Sequence, residues 1–282
     1  MHERLERLTN LPTLPRVATR LMEMLNNPET SVGDVAQVVR QDVSLSAKIL
    51  RLANSAFYGV PRTISSISDA AVLLGMNVIG TLVLSLTVFD ILPGGGSEFD
   101  RREFWRHNLL CAALGRLLAG RMRGGPNLED AFCACLLHDI GKVVMDQYLV
   151  EDMKKVMNEF VSGNISFHQA ERRVLDYSHD EIASLLTANW NIPDNITEPM
   201  VKHHDPSTAT EPLNQMVSVC HLADYLSYEC SSDDSGVNRA PQLDPQCRRR
   251  LRLSNEDIEW VKNQCEEEMD KMHIYSDIFT SC

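Results

Sequence analysis

The sequence has little of what builds β-structure. Aromatic residues fill only 6% of its 282 positions, and its β-branched residues do not cluster in alternating runs, which points to helices. Basic tracts are short as well. The net charge is −12 and the pI about 5.2, whereas a phosphate backbone is bound by many Lys and Arg that displace its counterions. No nucleic-acid partner is therefore expected, and Arg101-Arg102 and Arg248-Arg249-Arg250 read as solvated loops or helix ends. No C-x-x-C pair occurs, and Met1 is followed by charged residues instead of an apolar leader. The eight cysteines (Cys111, Cys133, Cys135, Cys220, Cys230, Cys247, Cys265 and Cys282) are expected as reduced thiols in a cytoplasmic protein. Internal repeats and long low-complexity tracts are also missing.

What is present is an ordinary globular composition, 44% hydrophobic and 23% charged. From Ala70 to Phe89 no residue is charged, a length that spans a bilayer. Gly75, Asn77, Gly80, Ser85 and Thr87 interrupt it, and Asp69 and Asp90 bracket it without basic anchors. We read two buried helices with a break near Gly75 and no membrane partner.

Val17, Leu21, Met24 and Leu25 make one helical stripe that begins after Pro15 and ends at Asn26-Asn27-Pro28. Ser31 caps a second helix, and Leu45, Ile49, Leu52, Ala53 and Ala56 mark a third. The breaker Pro93-Gly94-Gly95-Gly96-Ser97 sets a boundary. The expected organisation is a helical subdomain over 1–95, a helical core over 96–230, a polar loop over 231–252 and a C-terminal helix over 253–282. Within the core, Leu128 to Tyr148 reads as one helix with an interruption at Gly141. The C-terminal helix reads as Asn255 to Met272, a segment suited to pairing, with the oligomeric state open.

The chemistry centres on His138-Asp139 in Leu136-Leu137-His138-Asp139-Ile140-Gly141-Lys142. An imidazole beside a carboxylate suits divalent iron, manganese or zinc. Alone, the pair also describes a core histidine with a carboxylate partner. Further candidates arrive from separate helices: Glu103 and His107 at i and i+4, His179, His203-His204 and Asp224. Converging side chains from several helices are how bundles build metal sites. Six or seven ligands suit two ions, with Asp139 as the bridge, and such a pair binds and polarises phosphate. Lys142, four residues after His138, is placed to reach a phosphate oxygen.

The order His, His-Asp, His, His-His, Asp resembles the HD phosphohydrolase superfamily. Leu11-Pro12-Thr13-Leu14-Pro15, the run from Val43 through Asn54-Ser55 to Gly59, and Ile67 to Gly75 resemble HDOD domains, the HD-related output domains. Trp190-Asn191-Ile192-Pro193 and His203-His204-Asp205-Pro206 are similar to the same pattern, over roughly residues 8 to 230. The resemblance implies an all-α fold, an N-terminal helical bundle packed on an HD-type helical core. It also implies a bacterial signal-transduction output or scaffold protein with a protein partner. Many HDOD members have lost the metal-binding residues, and this sequence keeps them. Glu103, His107, His138, Asp139, Lys142, His179, His203, His204 and Asp224 fall in the order of the HD-GYP phosphodiesterases, which hydrolyse cyclic di-GMP. The Gly-Tyr-Pro motif of that group is missing after His179, where Asp180-Glu181-Ile182-Ala183-Ser184 stands.

The resulting expectation is a divalent metal centre, dinuclear iron or manganese with zinc as the third choice. Its ligands are Glu103, His107, His138, Asp139, His179, His203, His204 and Asp224. The alternative to a scaffold is a metal-dependent phosphohydrolase or phosphodiesterase acting on a nucleotide or other small phosphate ester. There Asp139 bridges the ions and Lys142 steadies the phosphate. His221 is read as packing or as a support behind the ligands. His2, His168 and His273 are read as surface residues, Cys135 as a small buried residue near the site, and Trp190 as core.

Overall fold

The computed structural model describes residues 11–25, 27, 29–92, 100–231 and 239–280. Among these residues the regular structure is helical and no strand occurs, as the sparse β-forming residues imply.

Among the described residues, five helices precede the glycine-rich breaker: α1 Arg16–Leu25, α2 Val32–Val39, α3 Val43–Ala53, α4 Ile67–Leu74 and α5 Met76–Ile91. Local chemistry sets their starts. Ser31 and Asp34 form a capping box for α2, and the Asp42 and Ser66 side chains cap α3 and α4. Asn54 then closes the loop after α3. Its side-chain amide donates to Ile64 O at 2.8 Å, and its Oδ1 accepts from Ile64 N–H at 2.7 Å.

Helices α4 and α5 bend by 119° at Gly75, whose φ of +97° is costly for any residue with a Cβ. Among the described residues no single helix is long and apolar enough to cross a membrane. Every position from Val78 to Phe89 in α5 is buried. A helix that is apolar all round belongs in a core, and α5 packs against α1, α3 and α4.

The second half begins with α6 Arg101–Arg121 and α7 Leu128–Leu137, followed by α8 Ile140–Tyr148, α9 Val150–Ser162 and α10 Phe167–Val174. Next come α11 His179–Trp190, α12 Asp194–Lys202, a 3-10 turn at Pro206–Thr208, and α13 Asn214–Cys230. Helix α6 lies along α7 and α13, α11 against α8 and α12, and α5 joins the two halves through α7. The fold is thus the expected N-terminal bundle on a helical core. Trp190 is buried, and its Nε1–H donates to Pro12 O at 2.6 Å, tying the start of the chain to α11.

Three details differ from expectation. The helix over 128–148 is interrupted at His138-Asp139, just before Gly141. The loop over 231–252 contains α14, Pro245–Leu251, with the proline in its first turn; residues 232–238, like the breaker at 93–99, lie outside the described residues. The C-terminal helix is three helices, α15 Asn255–Asn263, α16 Cys265–Lys271 and α17 His273–Thr280. All three pack on α6, and the bends at Gln264 and Met272 let the segment follow it. Glu266, Glu267 and Glu268 suit the positive end of the dipole at the start of α16. In α17, Tyr275 meets Tyr58 hydroxyl to hydroxyl at 2.8 Å, and Phe279 stacks on Trp105 with ring centres 5.0 Å apart.

Candidate metal centre

Helix α7 ends in an all-buried run, Ala131 to Leu137. His138 keeps helical angles, and Asp139 leaves them at φ −95°, ψ 7° before α8 begins. This break turns two adjacent side chains into the same space. Gly141 brings the start of α11 close, since a Cβ there would lie 2.0 Å from His179 O. The missing side chain therefore allows His179 to reach Asp139.

Four imidazoles are held from outside by their Nδ1 atoms. His138 Nδ1 donates to Cys135 O at 2.7 Å, and His203 Nδ1 to Met200 O at 2.9 Å. His179 Nδ1 is 2.7 Å from the buried carboxylate of Glu171, which also accepts from His179 N–H at 3.1 Å. His107 Nδ1 meets Ser227 Oγ at 3.1 Å. Such outer contacts fix ring orientation and leave Nε2 for a metal.

The inward atoms form two adjoining groups. His107 Nε2 is 3.3 Å from Asp224 Oδ1, and His138 Nε2 is 3.7 Å from it. His179 Nε2 lies 3.0 Å from Asp139 Oδ1, 3.1 Å from His204 Nε2 and 3.4 Å from His203 Nε2. Asp139 Oδ2 faces the first group, 3.5 Å from His138 Nε2 and 3.7 Å from His107 Nε2. One group holds His107, Cys111, His138 and Asp224, and the other Asp139, His179, His203 and His204. Within each, the ligand atoms lie within 4.8 Å of one another.

The donor set fits a divalent cation. His138 Nε2, Asp139 Oδ1 and Asp224 Oδ1 are buried and make no well-aligned hydrogen bond, only ion-pair contacts within the cluster, an arrangement that costs free energy unless a cation takes up those lone pairs. Imidazole with carboxylate suits borderline divalent ions.

Electrostatics divide the metal-free ligands. Burial opposes ionisation of Asp139, yet Lys142, His138 and His179 hold it well below the usual carboxylate range. Asp224 is likewise low against burial, through His107 and His138. Burial opposes a charge on His179, but Glu171 and Asp139 outweigh it and raise the ring to about 10. Burial together with His138 and His179 lowers His203 to about 3.

Seven of the expected residues are brought together: His107, His138, Asp139, His179, His203, His204 and Asp224. Glu103 is not. It shares a face with His107, but it sits in the first turn of α6, where its exposed carboxylate accepts from Arg106 Nε at 2.9 Å. Lys142 turns inward, with Nζ 2.5 Å from Asp139 Oδ2 and 5.0 Å from the Phe167 ring centre. Cys135 contributes its carbonyl, while its sulfur packs against Gly115.

His168, expected at the surface, is partly buried. It stacks on His204 with ring centres 4.1 Å apart, and its Nε2 is 3.4 Å from Asp180 Oδ1. His221 has the supporting place expected of it: Nδ1–H donates to His203 O at 2.6 Å, and Nε2 accepts from Asp244 N–H at 2.9 Å. Two residues escaped the sequence reading. Cys111 carried a visible signal, one helical turn after His107, but reads there only as one of eight reduced thiols. Glu171 carried none, because a lone acid on a short helix shows nothing of what it faces.

Helices converging on paired His and Asp side chains define an all-α fold of the HD type. The HDOD domain model matches residues 11–206, and the chain belongs to the HDOD domain family. An HDOD domain protein of unknown function from Geobacter sulfurreducens is similar at 25% identity and TM-score 0.80, covering 100% of this chain and 97% of that one. A candidate phosphohydrolase from Shewanella amazonensis SB2B is similar at 25% identity and TM-score 0.70, covering 98% and 96%. A candidate signal transduction protein from Marinobacter aquaeolei VT8, at 24% identity and TM-score 0.82, covers 99% of this chain and 64% of its own, and shows the shared fold. An uncharacterized protein of Treponema pallidum is 25% identical over 218 residues, 77% of this chain. The chain spans 42% of that relative's length.

Proposed function

We propose that this chain is a cytoplasmic signal-output module that acts on a protein partner, and that its His/Asp cluster holds a divalent metal centre with a structural or sensing role. The observation that supports the reading is convergence with burial: His138, Asp139, His179, His203 and Asp224 are each no more than 3% exposed. Asp139, His179, His203 and His204 hold one side of the centre, and His107, His138 and Asp224 the other, with the Asp139 carboxylate facing both. When bound, a divalent ion there supplies Lewis acidity and fixed positive charge. The chain's own groups supply orientation: Glu171 fixes the His179 ring, and the Cys135 and Met200 carbonyls fix His138 and His203.

The surroundings favour this role over hydrolysis. Lys142 already pairs with Asp139. Asp180, beside His179, is largely buried; burial opposes its ionisation, but His168 and His179 hold it as a carboxylate. A fixed negative charge there disfavours a phosphate. The second reading, hydrolysis of a nucleotide or other small phosphate ester, is favoured by one feature. The His107 and Lys142 side chains, 19% and 12% exposed, leave the centre a solvent-facing edge. In that role Lys142 releases Asp139 and steadies the phosphate.

Elemental analysis of protein purified without chelator, beside His138→Ala and Asp139→Ala, tests the first reading. About two equivalents of divalent metal, lost in both variants, is the expected result. No bound metal after reconstitution refutes the centre. Turnover of phosphate esters by the metal-replete protein, abolished by Asp139→Ala with the fold retained, would establish the second reading in its place.

A further inference from the structure

We propose that Cys111 is a metal ligand, and that with His107, His138 and Asp224 it forms a closed N2SO set for a thiophilic divalent ion of the zinc class. The inference rests on the metal-centre reading above and gives the two halves of that centre different chemistry.

Three separations match the edges of a tetrahedral site. Zinc bonds nitrogen or oxygen at about 2.0–2.1 Å and sulfur at about 2.3 Å, so the ligand atoms of one tetrahedral site lie roughly 3.3–3.6 Å apart. Here His107 Nε2 is 3.3 Å from Asp224 Oδ1 and 3.5 Å from Cys111 Sγ, and His138 Nε2 is 3.7 Å from Asp224 Oδ1. Three of the six edges are thus near their bound length, and the other three lie within 4.8 Å, so the ligands close in on the ion when it binds. Cys111 Sγ is nearer to His107 Nε2, at 3.5 Å, than to Nδ1, at 4.0 Å, and Ser227 Oγ meets the latter at 3.1 Å. Two members of the set, His138 Nε2 and Asp224 Oδ1, are among the buried atoms that make no well-aligned hydrogen bond.

Charge supports the same assignment. Glu103, the acidic ligand expected beside His107, is turned to solvent. A Cys111 thiolate with Asp224 restores two negative charges opposite a divalent ion. Cys133, Cys135 and Cys220 are also buried, yet none joins a ligand group among the described residues. Sulfur favours zinc over manganese, whereas the set of Asp139, His179, His203 and His204 offers only nitrogen and oxygen. Asp139 Oδ2 also faces this half, but it is paired with Lys142 while Oδ1 serves the other half, so the four ligands of the set fill a tetrahedron, as structural zinc sites do. This half would therefore hold the fold around α6, α7 and α13 without an open position.

Cobalt(II) titrated into the metal-free full chain tests the inference, because cobalt takes zinc's geometry and reports sulfur by a near-ultraviolet charge-transfer band. We expect that band in the parent protein, its loss in Cys111→Ser, and its retention in Cys133→Ser. Cobalt binding without the band, or a band that persists in Cys111→Ser, would overturn the assignment and leave the metal centre standing. Failure to bind cobalt or zinc at all would overturn both. Should Cys111→Ser not fold, X-ray absorption of the zinc-loaded parent decides: one sulfur in the coordination shell supports the assignment, and nitrogen and oxygen alone refute it.

Discussion

Replacing Gly141 by alanine puts a methyl carbon 2.0 Å from the His179 carbonyl oxygen and 2.7 Å from its carbonyl carbon. Both are backbone atoms, so no rotamer change relieves the contact. Ordinary contact begins at 3.4 Å, so α8 and α11 must part by about 1.4 Å at this point, as close-packed interiors demand. The Asp139 Oδ1 to His179 Nε2 separation starts at 3.0 Å, and an opening of that size takes it beyond hydrogen-bonding distance. Two terms oppose each other in stability. Overpacking costs about 1–3 kcal/mol, while alanine in a helix gains about 0.8–1 kcal/mol over glycine. With two backbone atoms inside 3.0 Å the clash falls at the upper end of its range, about 3 kcal/mol, and wins by about 2 kcal/mol, which lowers the melting temperature by roughly 4–8 °C in a chain of this size. Metal affinity should fall by about 10–100-fold, the range seen when a ligand's support is disturbed. Thermal melts with and without zinc, together with a competition titration, measure both. A melting temperature at or above the parent's, with unchanged affinity, would refute the reasoning, because that is the helix-propensity gain without the clash.

Glu171→Gln removes the carboxylate behind His179 while keeping its size, and metal affinity should drop by about 10–100-fold with little change in helix content; circular dichroism and metal titration check this. Glu103→Ala should leave metal stoichiometry unchanged, since its carboxylate faces Arg106 at the surface, and elemental analysis decides. Metal uptake should release protons at pH 7. The His179 ring, raised to about 10 without metal, carries a proton that a coordinating nitrogen must lose, whereas His203, lowered to about 3, carries none. Affinity should therefore rise as pH increases toward 10 and weaken as it falls. Calorimetry in two buffers of different ionisation enthalpy measures the release, and identical apparent enthalpies would contradict it.

The helical fold was legible because its signals are local. The Val17–Leu25 stripe, the Ser31 cap and the Gly75 break each lie within a few residues, and each is found where expected. The central ligands were legible for a different reason: His138-Asp139 and His203-His204 are rare pairs whose order resembles a known pattern. Glu103 misled because helical spacing says which residues share a face, not where along its length a helix meets its neighbours. Glu171 was invisible because the turn between α10 and α11 brings it to His179. The C-terminal segment read as one helix because it has no Gly or Pro to mark its bends. Those bends are imposed by packing along α6.

The family resemblance and the folding unit have different limits. The HDOD match closes at residue 206, yet α17 lies far beyond it. Tyr275 approaches Phe57 and Phe132 with ring centres 5.7 Å from each, and Phe279 meets both Phe89 and Trp105. Those contacts draw on α5, α6, α7 and the loop after α3 at once, so the last helix works as a clasp over the seam between the two halves. Buried aromatic side chains each cover about 150–250 Å². A chain shortened to the family limit would turn that surface toward water and present a sticky patch that α17 otherwise covers.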